Sequence, residues 1–211
     1  MTVALSQTAQ VTSTNTVRGL WQIPFGSSDN TISLSIQNSS SIQAKNVRVT
    51  FNDPPLWLKF ESTSFLVKSI QDNSAGDAEF TFSVDRKAPG GKDTTLTATI
   101  RTSDGQIWTK DIEITVAAPK DHKLYDNFPN PFNPSTKIAF ELPKTSRVKL
   151  IIYDIVGREV AKVTDADYPA GYTELTWNGM NSHGTLVSSG VYFYRLSTDG
   201  WSKVKKMMML K

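Results

Sequence analysis

The residues able to do acid–base or nucleophilic work are few and scattered. His122 and His183 are the two histidines in 211 residues, and cysteine is absent. Serine hydrolysis needs a base beside the nucleophile, itself oriented by a third group. Neither histidine stands in such a setting, and the chain holds no HExxH, GxSxG, P-loop or GxGxxG pattern. Asp165 and Asp167 lie two apart before Tyr168-Pro169 and read as an exposed acid pair in a loop, with no assigned role. Without cysteine there are no disulfides, no thiolate metal ligands and no cysteine nucleophile. The sequence therefore assigns no catalytic, cofactor-binding or metal-ligating residue, and the chain is read as not an enzyme.

Two weaker chemical signals remain. Asn38-Ser39-Ser40 fits the short glycosylation sequon. Trp21, Trp57 and Trp108 supply the flat rings that a sugar-stacking platform needs, the basis for a carbohydrate-binding reading of the first half. A β-sandwich also wants large aromatics inside, and burial is the account expected for at least two of them.

The formal net charge of +3 is local. Residues 1–118 carry ten Lys/Arg against eleven Asp/Glu, and residues 119–200 carry nine of each. The last eleven residues, WSKVKKMMMLK, hold four Lys and no acid. A nucleic-acid face spreads basic residues over a domain, so no nucleic-acid partner is expected. No window approaches the ~20 apolar residues of a membrane-spanning helix. Met1 to Gln10 has neither a basic start nor a continuous apolar run; if the protein is exported, Met1 stands in place of upstream sequence.

The elements that would position these residues are strands. Period-2 alternation places Ile32, Leu34 and Ile36 on one face, then Val47, Val49 and Phe51, then Phe80, Phe82 and Val84. Leu96, Ala98 and Ile100 repeat the pattern, as do Ile112, Ile114 and Val116. Turn signals at 26–30, 52–55, 88–91 and 103–105 separate them. The fold class is all-β: two immunoglobulin-like antiparallel β-sandwich domains in tandem, the first with about seven strands over residues 1–118.

At Ala117–Asp121 the alternation stops, and FPNPFNP follows at 128–134. Pro129, Pro131 and Pro134 lack amide donors and fix φ, so this stretch reads as neither helix nor central strand. Residues 119–127 are expected to be a linker, with the prolines forming a stiff, extended entry to a second domain at 128–211. There, Ile138, Phe140 and Leu142 alternate, as do Val148, Leu150 and Ile152. Further strands are expected around 158–164, 172–178, the Tyr192/Tyr194/Leu196 face, and 203–210.

Five segments of this second half occur in order: FPNPFNP (128–134), VKLIIYDIVGREV (148–160), PAGYTELTW (169–177), SSGVYFYRL (188–196) and WSKVKKMMMLK (201–211). Together they resemble the C-terminal sorting domain of the type IX secretion system. The resemblance implies a non-catalytic, folded signal on an exported protein, recognised by the outer-membrane translocon and cleaved by a surface sortase. It implies passage through the periplasm to the cell surface or medium, with lipopolysaccharide attachment of the cargo after cleavage. The residues it singles out for translocon recognition are Pro129, Asn130, Pro131, Tyr153, Asp154, Gly157, Arg158, Gly171, Gly190, Tyr192, Lys203, Lys205, Lys206, Met207 and Lys211. The first half resembles, more loosely, the accessory immunoglobulin-like modules found before such tails.

One loop departs from the pattern. Relatives often place acids after the tryptophan, whereas this chain reads Trp177-Asn178-Gly179-Met180-Asn181-Ser182-His183-Gly184. That removes the anionic oxygens a hard cation needs. Read from the residues alone, Asp154 is expected to cap a tight turn between two strands, and the lysine-bearing tail an edge strand or a docking strand for a receptor. Two other readings stand beside the sorting domain: an immunoglobulin-like module related to that of the flagellar hook-cap protein, and a carbohydrate-binding module.

Overall fold

Successive side chains of a strand leave opposite faces, so alternation in sequence becomes one buried and one wet face. In the computed structural model, which describes Val3–Ala4 and residues 21–211, every alternation named above is a strand with its apolar set inward. Apart from Val3–Ala4, the stretch Met1–Gln10 lies outside the described residues. The chain divides into two compact units, 1–117 and 118–211.

The first unit contains β1 (Val3–Ala4), β2 (Trp21–Ile23), β3 (Asn30–Asn38), β4 (Ala44–Asn52), β5 (Leu58–Phe60), β6 (Ser64–Ile70), β7 (Ser74–Val84), β8 (Asp93–Arg101) and β9 (Ile107–Val116). They form two sheets, β1-β3-β7-β5 and β2-β9-β8-β4-β6. Pairing is antiparallel except that β2 runs parallel to β9. Among the described residues nine strands replace the expected seven, because β5 has three residues and β6, SFLVKSI, leaves Phe65 and Leu66 exposed; neither carries a clean alternation. Phe51 stacks on Phe60 at 4.9 Å and meets Phe80 edge-on at 4.8 Å, binding the two sheets together.

The sequon at Asn38 is not a glycosylation site. Asn38 is 1 % exposed, and its Nδ2 donates to the carbonyls of Ile42, Ile70 and Gln71. A side chain that ties three backbone acceptors from inside the fold has no room for a glycan. Trp21, Trp57 and Trp108 are all partly buried against the same core.

The second unit contains β10 (Lys123–Leu124), β11 (Thr136–Leu142), β12 (Ser146–Tyr153), β13 (Glu159–Tyr168), β14 (Gly171–Trp177), β15 (Gly190–Thr198) and β16 (Trp201–Met209). A three-stranded sheet, β10-β11-β14, faces a four-stranded one, β13-β12-β15-β16. Ile138, Phe140, Leu142, Val148, Leu150, Ile152, Tyr194 and Leu196 are wholly buried between them. Each such side chain contributes about 1.5–3 kcal/mol by leaving water.

The stretch 119–127, expected as a linker, instead belongs to this unit. Lys123 pairs with Glu141 and Leu124 with Phe140, and Asn127 is 3 % exposed. His122 stacks on Trp201, with ring centroids 5.2 Å apart. Lys120 and Asp121, next to the division between the units, are exposed and lie outside any strand. Trypsin is therefore expected to cut the native chain first after Lys120 and to leave a resistant C-terminal fragment, read by mass spectrometry. Simultaneous digestion of both halves would show that the units do not fold separately.

Asp165 and Asp167 also move, from an expected loop into β13. Two register shifts lengthen that strand past the predicted end at 164. Asp165 accepts from Arg147 Nε at 2.9 Å and lies 3.9 Å from both Lys149 and Lys162. Exposed pairs of this kind add little stability.

Candidate functional site

The five resembling segments come together in the second unit. The tail strand β16 pairs along its length with β15, from Thr198↔Trp201 to Gly190↔Met209. Met207 and Met209 point inward and are 1 % and 0 % exposed, while Lys203, Lys206 and Lys211 are exposed. Lys205 is ion-paired to Asp126 at 2.5 Å.

The proline-rich segment is not a spacer. Prolines cannot donate, but the residues between them do the bonding. Phe128 exchanges backbone bonds with Lys137 at 2.9 Å each way. Phe132 N donates to Met208 O at 3.0 Å, and Leu210 N donates to Phe132 O at 2.9 Å. Asn130 Oδ1 accepts from Met208 N at 3.0 Å. The segment thus seals the last residues of the edge strand, and Phe132, 2 % exposed, fills the core beneath. Pro129 and Pro131 themselves are exposed, and both peptides that precede them are cis.

Phe132, Trp177 and Tyr192 then pack in series, the first pair tilted at 5.6 Å and the second edge-on at 5.7 Å. The Tyr192 hydroxyl donates to Ser188 O at 2.8 Å. Burial first, and then the charge of Asp154, push this phenol above its ordinary value. Trp177 Nε1 donates to Met180 O at 2.9 Å, which fixes the loop that follows β14. Among the described residues no cluster of three or more His, Cys, Asp or Glu is arranged for a metal.

The Tyr153–Arg158 turn forms as expected. Asp154 Oδ1 accepts from Arg158 N at 2.9 Å and from Val156 N at 3.0 Å, and Oδ2 accepts from Arg158 Nε at 2.7 Å. The Arg158 amide, with help from its guanidinium and the Val156 amide, holds this carboxyl below its ordinary value. Gly157 adopts φ +81°, which closes the turn with a bond from its N to Asp154 O. The Arg195 guanidinium lies 4.8 Å from the centre of the Tyr153 ring. Gly171 is buried, opposite Leu142, and Gly190 opens β15 opposite Met209.

Three residues matter more than the sequence suggested. Tyr194 OH donates to Tyr125 O at 2.8 Å and accepts from Asn127 N at 3.0 Å, anchoring the entry segment from inside. Asn127 Nδ2 reaches Pro129 O and Thr136 Oγ1. Gly179 has φ +74°, and a Cβ there would lie 2.6 Å from Pro134 O, so no other residue fits. A glycine between a tryptophan and an asparagine-rich loop was the one available signal for the last of these.

On this fold the comparisons with known proteins can be placed. A family model described as the FlgD Ig-like domain matches residues 127–200, the stretch containing β11 to β15. No curated protein matches the chain. Among solved structures, the dimeric latent PorU of Porphyromonas gingivalis is 16 % identical over 99 % of this chain and 20 % of its own, with a TM-score of 0.37. Invasin, a bacterial integrin-binding protein, is 13 % identical over 99 % of this chain and 39 % of its own, at 0.44. The CupB2 chaperone of Pseudomonas aeruginosa is 10 % identical over 94 % and 99 %, at 0.30. The protein is an immunoglobulin-like β-sandwich protein, and its second unit is similar to the FlgD Ig-like domain.

Proposed function

We propose that the second unit is a folded sorting signal carried by an exported, non-catalytic chain, read by an outer-membrane translocon of the type IX kind, with the first unit an accessory sandwich. The observation that supports this is the seal between Asn130, Phe132 and the tail strand. It joins the proline-rich segment to the tail strand, which pairs with β15, and Lys203, Lys206 and Lys211 are displayed on that strand and its end. The backbone groups of Met208 point away from β15, and ladder alternation aims those of Ser202, Val204 and Lys206 the same way. That is the edge a receptor strand would extend.

Deleting the tail would be a poor test, because Met207 and Met209 belong to the core. The better variant is Lys203→Gln/Lys206→Gln/Lys211→Gln, which leaves the packing alone. A fluorescent passenger with a periplasmic signal, fused to residues 118–211, is expected to reach the surface or medium of a competent host. The triple variant is expected to stay in the periplasm while folded. Retention of the unaltered fusion in the periplasm would remove the sorting role. The family match at 127–200 favours one second reading, a structural immunoglobulin-like module of the hook-cap type. On that reading the lysine variant changes nothing in export.

A further inference from the structure

Thirteen large hydrophobic residues are exposed among the described residues, and eight of them lie in the second unit. Six of those eight gather at one end of it. The register places them: Tyr153 pairs with Phe193 and Phe193 with Lys206, so the β12–β13 turn lies beyond that row. It lies at the same end as the start of β15 and the close of β16. The turn offers Ile155 and Val156, 72 % and 68 % exposed. The tail offers Met208 and Leu210, and the loop between β14 and β15, which ends at Gly190, offers Met180 and Leu186. At the opposite end, where Lys123 pairs with Glu141 and His122 stacks on Trp201, no large hydrophobic is exposed.

Charge follows the same asymmetry. Arg158, Lys206 and Lys211 border the apolar end and are exposed. The loop 178–189 and the segment 127–135 contain no acid. Of the two carboxylates nearby, Asp154 is consumed by Arg158, which leaves Glu159 at the start of β13. The apolar side chains come from three separate chain segments, and none of the six is Trp, Tyr or Arg, the residues that dominate protein–protein hot spots. Aliphatic side chains with flanking lysines suit the boundary between headgroups and acyl chains, where apolar atoms sink and ammonium groups stay with phosphate.

We propose that this end of the second unit docks on an anionic lipid bilayer. Ile155 and Val156 enter the interface on a turn already held rigid by the Asp154–Arg158 pair, Met208 and Leu210 enter beside them, and Lys206 and Lys211 pair with lipid phosphates. The inference is independent of the export reading, since it concerns binding by the purified chain. The test is co-sedimentation of the full chain with phosphatidylcholine vesicles, with and without about one-third phosphatidylglycerol, at low and high salt. Binding is expected to the anionic vesicles alone and to weaken with salt. Ile155→Ser/Val156→Ser, at exposed positions that leave the melting curve unchanged, is expected to lower the partition coefficient by about tenfold or more. Lys206→Gln/Lys211→Gln is expected to lower it and to flatten its salt dependence. Wild-type protein that stays in the supernatant with every vesicle overturns the proposal in favour of a protein partner. So does a serine variant that binds as well as wild type.

Discussion

Tyr194→Phe is expected to destabilise the second unit by about 2–4 kcal/mol, although it removes a single oxygen. The hydroxyl sits at zero exposure and joins two backbone groups, accepting from Asn127 N and donating to Tyr125 O. Phenylalanine keeps the ring packing but takes the hydroxyl from a buried amide and from a half-buried carbonyl, each loss costing about 1–3 kcal/mol. The loss should be local. Hydrogen exchange followed by mass spectrometry on the full chain is expected to show faster exchange at 123–132 and then at the end of β16, before β12 and β15 respond. Tyr192→Phe is the control, because its hydroxyl reaches one carbonyl at a partly buried site.

The same residue gives the alkaline side of the stability profile a definite sign. Burial pushes the Tyr194 phenol well above its ordinary value of 10.0. A group whose folded value is raised contributes fully below the unfolded value and loses that contribution as pH climbs above it. Wild-type stability is expected to fall above about pH 10, and Tyr194→Phe is expected to show a flatter decline from its lower starting point. Equal alkaline slopes in the two proteins would assign the decline to other groups.

The strands were legible because their signal is local. Ile32-Leu34-Ile36 or Val148-Leu150-Ile152 announces a half-buried strand within five residues, and Asp154 with Gly157 announces its turn through the backbone they bond. What escaped is non-local or depends on an edge. Phe132 pairs with Met209 across most of the unit, and no window of sequence contains both. The prolines around Phe132 argue for an extended connector, whereas the segment bends, with cis peptides before Pro129 and Pro131, and Phe128 and Phe132 on either side bond their neighbours through the backbone. Residues 119–127 lacked alternation because only Lys123 and Leu124 are strand, and Tyr125 after them is pinned by a tyrosine 69 positions on. Asn38 matched a surface sequon while being a core bracket, since a three-residue pattern carries no information on burial. Among the candidate recognition residues, the grouping of Asn130 with the tail emerged only from the fold.

The largest single loss is expected for Phe132→Ala, about 3–5 kcal/mol. The ring is 2 % exposed and lies 5.6 Å from that of Trp177. Truncation leaves a cavity under the close of β16 that the sandwich cannot collapse to fill, since Tyr192 holds Trp177 from the other side at 5.7 Å. The backbone bonds between Phe132, Met208 and Leu210 lose their packing support at the same time. Urea denaturation of the full chain, with near-ultraviolet circular dichroism reporting the aromatic series, is the measurement. Phe128→Ala is the comparison within the same segment, because Phe128 is 77 % exposed and its backbone bonds to Lys137 survive the change. It is expected to shift stability by less than about 0.5 kcal/mol. Three residues, two of them prolines, separate a structural phenylalanine from a displayed one, and equal effects at both would mean that the proline-rich segment lies on the sandwich without holding its tail strand.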